Sequence, residues 1–74
     1  MDWKQHIESS PKVLYGKPVV KDTRIPVDLI LEKLSFSEKV EDLLEAYPRM
    51  SNAKIMACLS YAVHSIRNEE VYLI

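Results

Sequence analysis

The sequence predicts a mainly α fold: a three-helix, helix-turn-helix-like domain with a short N-terminal β-hairpin. Three observations carry that expectation. Apolar residues recur at helical spacing through most of residues 27–67. Pro48 and Ser35-Phe36-Ser37 interrupt the pattern at two places, which leaves tight turns between helices. The only Gly and two of the four Pro fall within Gly16–Pro26, a turn-rich stretch around the β-branched pair Val19-Val20.

In chain order, residues 1–12 form a polar leader with Trp3 and Ile7 as its large apolar groups, and Ser9-Ser10-Pro11 breaks any helix begun at Asp2. The domain is expected over 13–68. Its hairpin spans 13–25 and pairs Val13-Leu14-Tyr15 with Val19-Val20 across Gly16–Pro18. Pro26 stands at or just before the first turn of a helix over about 27–35, where its missing N–H costs little. Val27, Ile30, Leu31 and Leu34 make the inner stripe of that helix. The second helix covers about 38–47, with Val40, Leu43, Leu44 and Tyr47 inward. Its N-terminal half is loaded with Glu38, Glu41, Asp42 and Glu45. Ser51 is suited to cap a third helix over about 51–67. Its buried stripe is read as Ile55, Leu59, Ala62, Val63 and Ile66, with Met56 at the border. Ala53, Ala57, Ser60, Tyr61 and His64 are left facing outward. Residues 69–74 form a tail that ends in an apolar tetrad.

Length and composition bound the function. Seventy-four residues make one small domain with a marginal core. A single Cys gives no internal disulfide and no Cys-based zinc cluster. No apolar run reaches the ~18 residues of a membrane span, and the first residues lack the apolar core of a signal peptide, so no membrane role and a cytoplasmic location are expected. The net charge of −1 hides a pattern: residues 27–48 carry two cations against six carboxylates, and the flanks are mildly basic. The monomer is then a poor general polyanion binder, though its cations can form a local patch.

Gly16-Lys17-Pro18-Val19-Val20-Lys21-Asp22-Thr23-Arg24-Ile25-Pro26-Val27, Leu43-Leu44-Glu45-Ala46-Tyr47-Pro48, Ile55 to Leu59 and Tyr61-Ala62 carry a resemblance. Over residues 13–62 the chain resembles the family called domain of unknown function 433. The pattern there runs roughly G-K-P-V-I-x-G-T-R-I-P-V, then E-E-I-L-x-x-Y-P, then a helix ending A-L-x-Y-A. The resemblance implies a small helix-turn-helix-like domain. It also implies an antitoxin component of a type II toxin–antitoxin pair, which would bind a PIN-like nuclease toxin and its own promoter. Three departures stand out. Asp22 replaces Gly, so it must reach positive φ. Ser37 stands where Gly is common, and Lys39 where a capping hydroxyl is common, so Ser37 is expected to cap the second helix. Lys54 and Met56 stand where acidic and basic residues alternate.

Catalysis finds no support in the residues. His6 and His64 are far apart, Cys58 lies between Ala57 and Leu59 with no supporting His, and one Gly makes no phosphate loop. The expectation is a non-enzyme without metal or cofactor. For operator DNA, the start of the last helix offers Arg49, Ser51, Asn52 and Lys54. Arg and Asn read guanine and adenine edges, while Lys and Ser hold phosphates. Lys17, Lys21 and Arg24 are further candidates for phosphate contact. For partners, the hairpin edges invite pairing in a homodimer. The tetrad Val71, Tyr72, Leu73 and Ile74 can add a strand to a partner or dock in a groove. The expected function is an antitoxin that neutralises a PIN-like toxin and binds operator DNA as a dimer. The alternative is a protein-interaction or structural module that never contacts DNA.

Overall fold

A computed structural model of the chain describes residues 2–12 and 14–68, apart from the side chain of Leu14. The expected architecture is present: three helices with a two-stranded antiparallel pair near the N-terminus. The helices are α1 (Val27–Ser35), α2 (Val40–Ala46) and α3 (Asn52–Asn68). The strands are β1 (Ile7–Glu8) and β2 (Val19–Val20), in the register Ile7 to Val20 and Glu8 to Val19.

The strand partner differs from the expected one. The hairpin partner lies in the expected leader, and Leu14–Gly16 forms a 3-10 turn instead of a strand. Tyr15 (φ 56°) and Gly16 (φ 83°) both sit in the left-handed region there, which no strand can continue. Residues 2–8 therefore do not hang off the domain. A 3-10 turn at Trp3–Gln5, capped by the Asp2 side chain accepting from the Lys4 N–H, lays Trp3 on α3. The Trp3 ring meets Tyr61 edge-on at 4.9 Å. Ile7 enters the core beside Val20, Val27, Ile30, Leu43, Met50, Ile55, Ala57 and Cys58.

β2 is occupied on both sides. The Lys21 N–H donates to the His6 carbonyl at 2.7 Å on the β1 side. On the other side the chain doubles back at once: the Val20 N–H donates to Ile25 O and the Val27 N–H to Pro18 O, both at 3.0 Å, and Val19 bridges Pro26. The expected open edges on β2 are thus filled within one chain, so they do not offer the pairing expected for a homodimer.

Two turns show how the chain manages with one Gly. In the turn Val20–Thr23 the Thr23 N–H donates to Val20 O at 3.2 Å, and Asp22 takes φ 63° at the third position, as its place in the Gly pattern requires. The Thr23 hydroxyl tightens this turn by donating to Val20 O at 2.7 Å and accepting from the Ile25 N–H at 3.0 Å. At the end of α1, the Ser37 N–H donates to Leu34 O and the Glu38 N–H to Lys33 O. These two bonds are the Schellman pattern, with Ser37 (φ 67°) in the left-handed position that Gly favours. Ser37 therefore ends α1 and does not cap α2. The cap position of α2 belongs to Lys39, which makes no side-chain cap bond, and α2 starts at Val40. Ser37→Gly is expected to stabilise the domain by about 0.5 kcal/mol, the relief of left-handed strain less the added freedom of the unfolded chain. Urea melts of both proteins read this directly, and a loss of stability refutes it.

The inner faces of α1 and α2 match the periodicity: Val27, Ile30 and Leu43 are buried, and Leu31, Leu34, Val40, Leu44 and Tyr47 pack against them. α3 does not match. Its buried residues are Ile55, Ala57 and Cys58, with Tyr61 packed beside them. Leu59, Val63 and Ile66 are exposed, together with Met56. The buried face is rotated by about one residue, roughly 100°, from the expected one. The cause is the N-terminal segment, which covers the Cys58–Tyr61 side through Trp3 and Ile7.

Burial also sets the chemistry of Cys58. Loss of solvation pushes its thiol from 9.0 up to about 11, against a smaller downward pull from a backbone hydrogen bond. The reactive thiolate is thereby suppressed. Iodoacetamide at pH 8 should label Cys58 only when the domain unfolds; rapid labelling of the folded protein contradicts this. The unfolded thiol ionises from about 9 while the folded one stays neutral, so this contribution to stability is intact below pH 9.0 and is lost as pH rises through about 11.

Candidate nucleic-acid interface

Two stretches far apart in sequence meet at one corner of the domain. The β2–α1 turn supplies Asp22, Thr23, Arg24 and Ile25; the α2–α3 turn supplies Ala46, Tyr47, Pro48 and Arg49. Together they line a groove of about 650 Å³. Pro48 ends α2, and Met50 folds inward to anchor the corner in the core, with its N–H donating to Tyr47 O at 2.8 Å. The Arg49 guanidinium crosses the groove, and its Nη1 donates to the Asp22 carbonyl at 3.1 Å. That bond joins the left-handed Asp22 turn to the entrance of α3. It uses one of the five guanidinium donors.

The start of α3 is built by Ser51. Its Oγ accepts from the Lys54 N–H at 3.2 Å, which is the expected cap, and its carbonyl accepts from the Ile55 N–H at 3.0 Å. Lys54 folds back, with Nζ donating to the Arg49 carbonyl at 2.9 Å. It therefore serves the corner as a brace, and its charge lies over the turn instead of projecting from the helix. Ser51 and Asn52 are exposed.

The structure brings together most of the basic candidates and separates one. Arg24 and Arg49 share the groove, and Ser51, Asn52 and Lys54 follow directly along the chain. Lys21 is half-buried one residue before the groove. Lys17 is drawn to α1, where Nζ lies 3.4 Å from an Asp28 carboxylate oxygen, an exposed pair of little energetic weight. Val71, Tyr72, Leu73 and Ile74 lie outside the described residues. The acidic side of α2 comes close to the same corner through Glu45, next to the lining residue Ala46. The meeting of Thr23-Arg24 with Tyr47-Pro48-Arg49 is not visible in the order of the residues. The sole hint is that both stretches belong to the recurring pattern quoted above.

Other clusters offer less. Among the described residues, no group of three or more His, Cys, Asp and Glu is close enough to hold a metal ion. Nor, among these residues, is any helix long and apolar enough to cross a membrane. His64 is exposed, with its ring 5.0 Å from that of Trp3 and its Nδ1 3.2 Å from the Asn68 amide.

Comparison with known proteins agrees with the resemblance in the sequence. The family model described as "Protein of unknown function (DUF433)" matches residues 7–62. A curated relative, uncharacterized protein y4eO of Sinorhizobium fredii (strain NBRC 101917 / NGR234), is 39% identical over 56 residues. The match covers 76% of this chain and 25% of the relative, so it spans about a quarter of that protein's length. No solved structure gives a significant match. The family match begins at Ile7, the first residue of β1, and so takes in the strand that closes the fold. With three quarters of its length matched, the chain belongs to the DUF433 family of proteins of unknown function.

Proposed function

We propose that the chain is an antitoxin: in the cytoplasm it binds and neutralises a PIN-like nuclease toxin, and as a dimer it binds operator DNA. The observation that carries the DNA part is the convergence of Arg24 and Arg49 on one groove beside the capped start of α3, where Ser51 and Asn52 are exposed. The N-terminal residues of such a helix are the ones that enter a major groove in helix-turn-helix proteins. Arg24 is exposed and suits a phosphate; Asn52 suits an adenine edge. The toxin part draws on the family pattern and needs its own test.

A gel shift with DNA from upstream of the chain's own operon tests the DNA part. The wild type should shift it at low salt. Arg24→Ala should weaken binding on every sequence and reduce the salt slope by about 1. Asn52→Ala should cost about 1–3 kcal/mol on the operator alone. Absence of a wild-type shift at low salt overturns the DNA part. Co-purification with the product of the adjacent gene, and silencing of its nuclease activity, test the toxin part.

A second reading, a protein-interaction module that never contacts DNA, is favoured by one group of observations. Lys54 and Lys17 are engaged within the chain, and the acidic side of α2 borders the corner. On this reading the same gel shift stays empty while the partner protein still co-purifies.

A further inference from the structure

Operator DNA would meet Arg24, Ser51 and Asn52 at the corner and leave the floor of the groove unused. That floor is apolar. Ile25 and Tyr47 are half-buried and packed on the central cluster, and Ala46 and Pro48 lie exposed beside them. Its volume of about 650 Å³ lies within the ~300–1,000 Å³ of clefts that seat a ligand. A phosphodiester backbone gains nothing from such a floor, because each oxygen brought there loses water without a hydrogen-bond partner in return. An apolar side chain gains by the area it buries.

The cations of the groove are two arginines, one from each turn. Among the described residues the ion pairs are Lys17 with Asp28 and Lys33 with Glu38, so neither Arg24 nor Arg49 is paired with a carboxylate. The bond from Arg49 Nη1 goes to a backbone carbonyl. It holds the guanidinium in place without neutralising it, and it leaves most of the fork free for a planar carboxylate. Asp22 lines the same groove, and Glu45 stands next to it in sequence. These carboxylates oppose a run of phosphates. Two lining cations against one lining carboxylate leave a surplus that a single carboxylate balances.

We infer that the groove docks a short acidic segment of a partner protein, with a Glu or Asp carboxylate on Arg24 and Arg49 and a neighbouring apolar side chain on Ile25, Tyr47 and Pro48. Arginine clusters recognise acidic motifs in this way in peptide-binding domains. Arg49 is already held by the Asp22 carbonyl, and the floor is fixed on the core, so little ordering is needed on binding. This docking names the surface for the partner-binding part of the proposed function and rests on that part; its probes contain neither nuclease nor DNA.

The probes are three capped pentapeptides, Ala-Leu-Glu-Leu-Ala, Ala-Leu-Gln-Leu-Ala and Ala-Ala-Glu-Ala-Ala. Each is titrated at low salt into the isotope-labelled full chain, and the backbone amide shifts are followed by NMR. The first peptide should move the amides of Thr23, Arg24, Ile25, Tyr47 and Arg49, with a dissociation constant of about 0.1–1 mM for so few anchoring atoms. The Gln peptide and the peptide without Leu should each bind at least about 5-fold more weakly. Arg24→Gln should weaken the first peptide at least about 5-fold with an unchanged circular dichroism spectrum. Arg67→Gln, the same change of charge about 20 Å along α3, should leave binding within about 2-fold. A first peptide that moves none of these amides at about 5 mM overturns the proposal. So does a control peptide that binds as tightly, or an Arg24→Gln protein that binds as the wild type does. If upstream duplex DNA moves the amides of Ile25 and Tyr47 and the first peptide does not, the groove belongs to DNA. A peptide that binds as expected, with no co-purification of the adjacent gene product, sinks the toxin reading and keeps the groove.

Discussion

Ile55→Ala is expected to cost about 3–4 kcal/mol and to leave a large part of the protein unfolded at 37 °C. Ile55 is fully buried on α3, among the nine residues of the central cluster. It lies on the helix that the other two helices and the N-terminal segment all contact. Removing three methyl or methylene groups forfeits their transfer energy and leaves a cavity that the neighbours fill only in part. Small domains hold ~5–15 kcal/mol in all, and this one lies in the low part of the range by size. The comparison that gives the number meaning is Ile66→Ala. Ile66 is 71% exposed, and its truncation should change the stability of the monomer by less than about 0.5 kcal/mol. Urea melts at low protein concentration separate the two. Equal losses would mean that α3 faces the core as its periodicity first suggests.

Deletion of residues 2–8 is expected to be at least as damaging, about 4 kcal/mol or more. Ile7 is 5% exposed, and its burial alone is worth roughly 2 kcal/mol. The half-buried Trp3 adds a comparable sum with its edge-on contact to Tyr61, and the bond from the Lys21 N–H to His6 is lost as well. The deleted protein should show little cooperative melting by circular dichroism. A deletion that melts like the wild type would restore the view of residues 1–12 as a leader.

These two experiments bear on the two places where sequence and structure part. α1 and α2 were legible because each has one apolar stripe and a charged back: Ile30 and Leu43 had no competing face to occupy. α3 was not, because Ile55, Met56, Ala57, Cys58, Leu59, Tyr61, Ala62, Val63 and Ile66 leave it apolar around most of its girth. Periodicity finds such a helix but does not choose the side that faces inward. That choice is made by Trp3 and Ile7, residues in a segment too short and polar to look structured. A two-residue strand such as Ile7-Glu8 carries no alternation to detect, whereas Val13-Leu14-Tyr15 reads as a strand in sequence and its described part, from Leu14 on, is a 3-10 turn; Val13 lies outside the described residues. The turns were more readable. Asp22 at positive φ follows from its place in the Gly pattern, and Ser37 occupies the other Gly position in the same conformation. Of the candidate interface, the residue types were legible and the meeting of Arg24 with Arg49 was not, because the core around Met50 and Val27 brings their turns together.

The closure of β2 on both sides bears on solubility as much as on shape. Val19-Val20 is the segment best suited to template a cross-β stack, being β-branched and uncharged, and a free edge there would accept a strand from any neighbouring molecule. The chain spends its N-terminus on one edge and the Ile25-Pro26 return on the other, so that no β2 backbone is offered to solvent. Pro26 reinforces this shielding, since it has no N–H to extend the ladder outward. Cleavage ahead of Val19 would remove half of the shield. The product to look for is then fibrillar material that binds thioflavin, formed as the weakened domain opens.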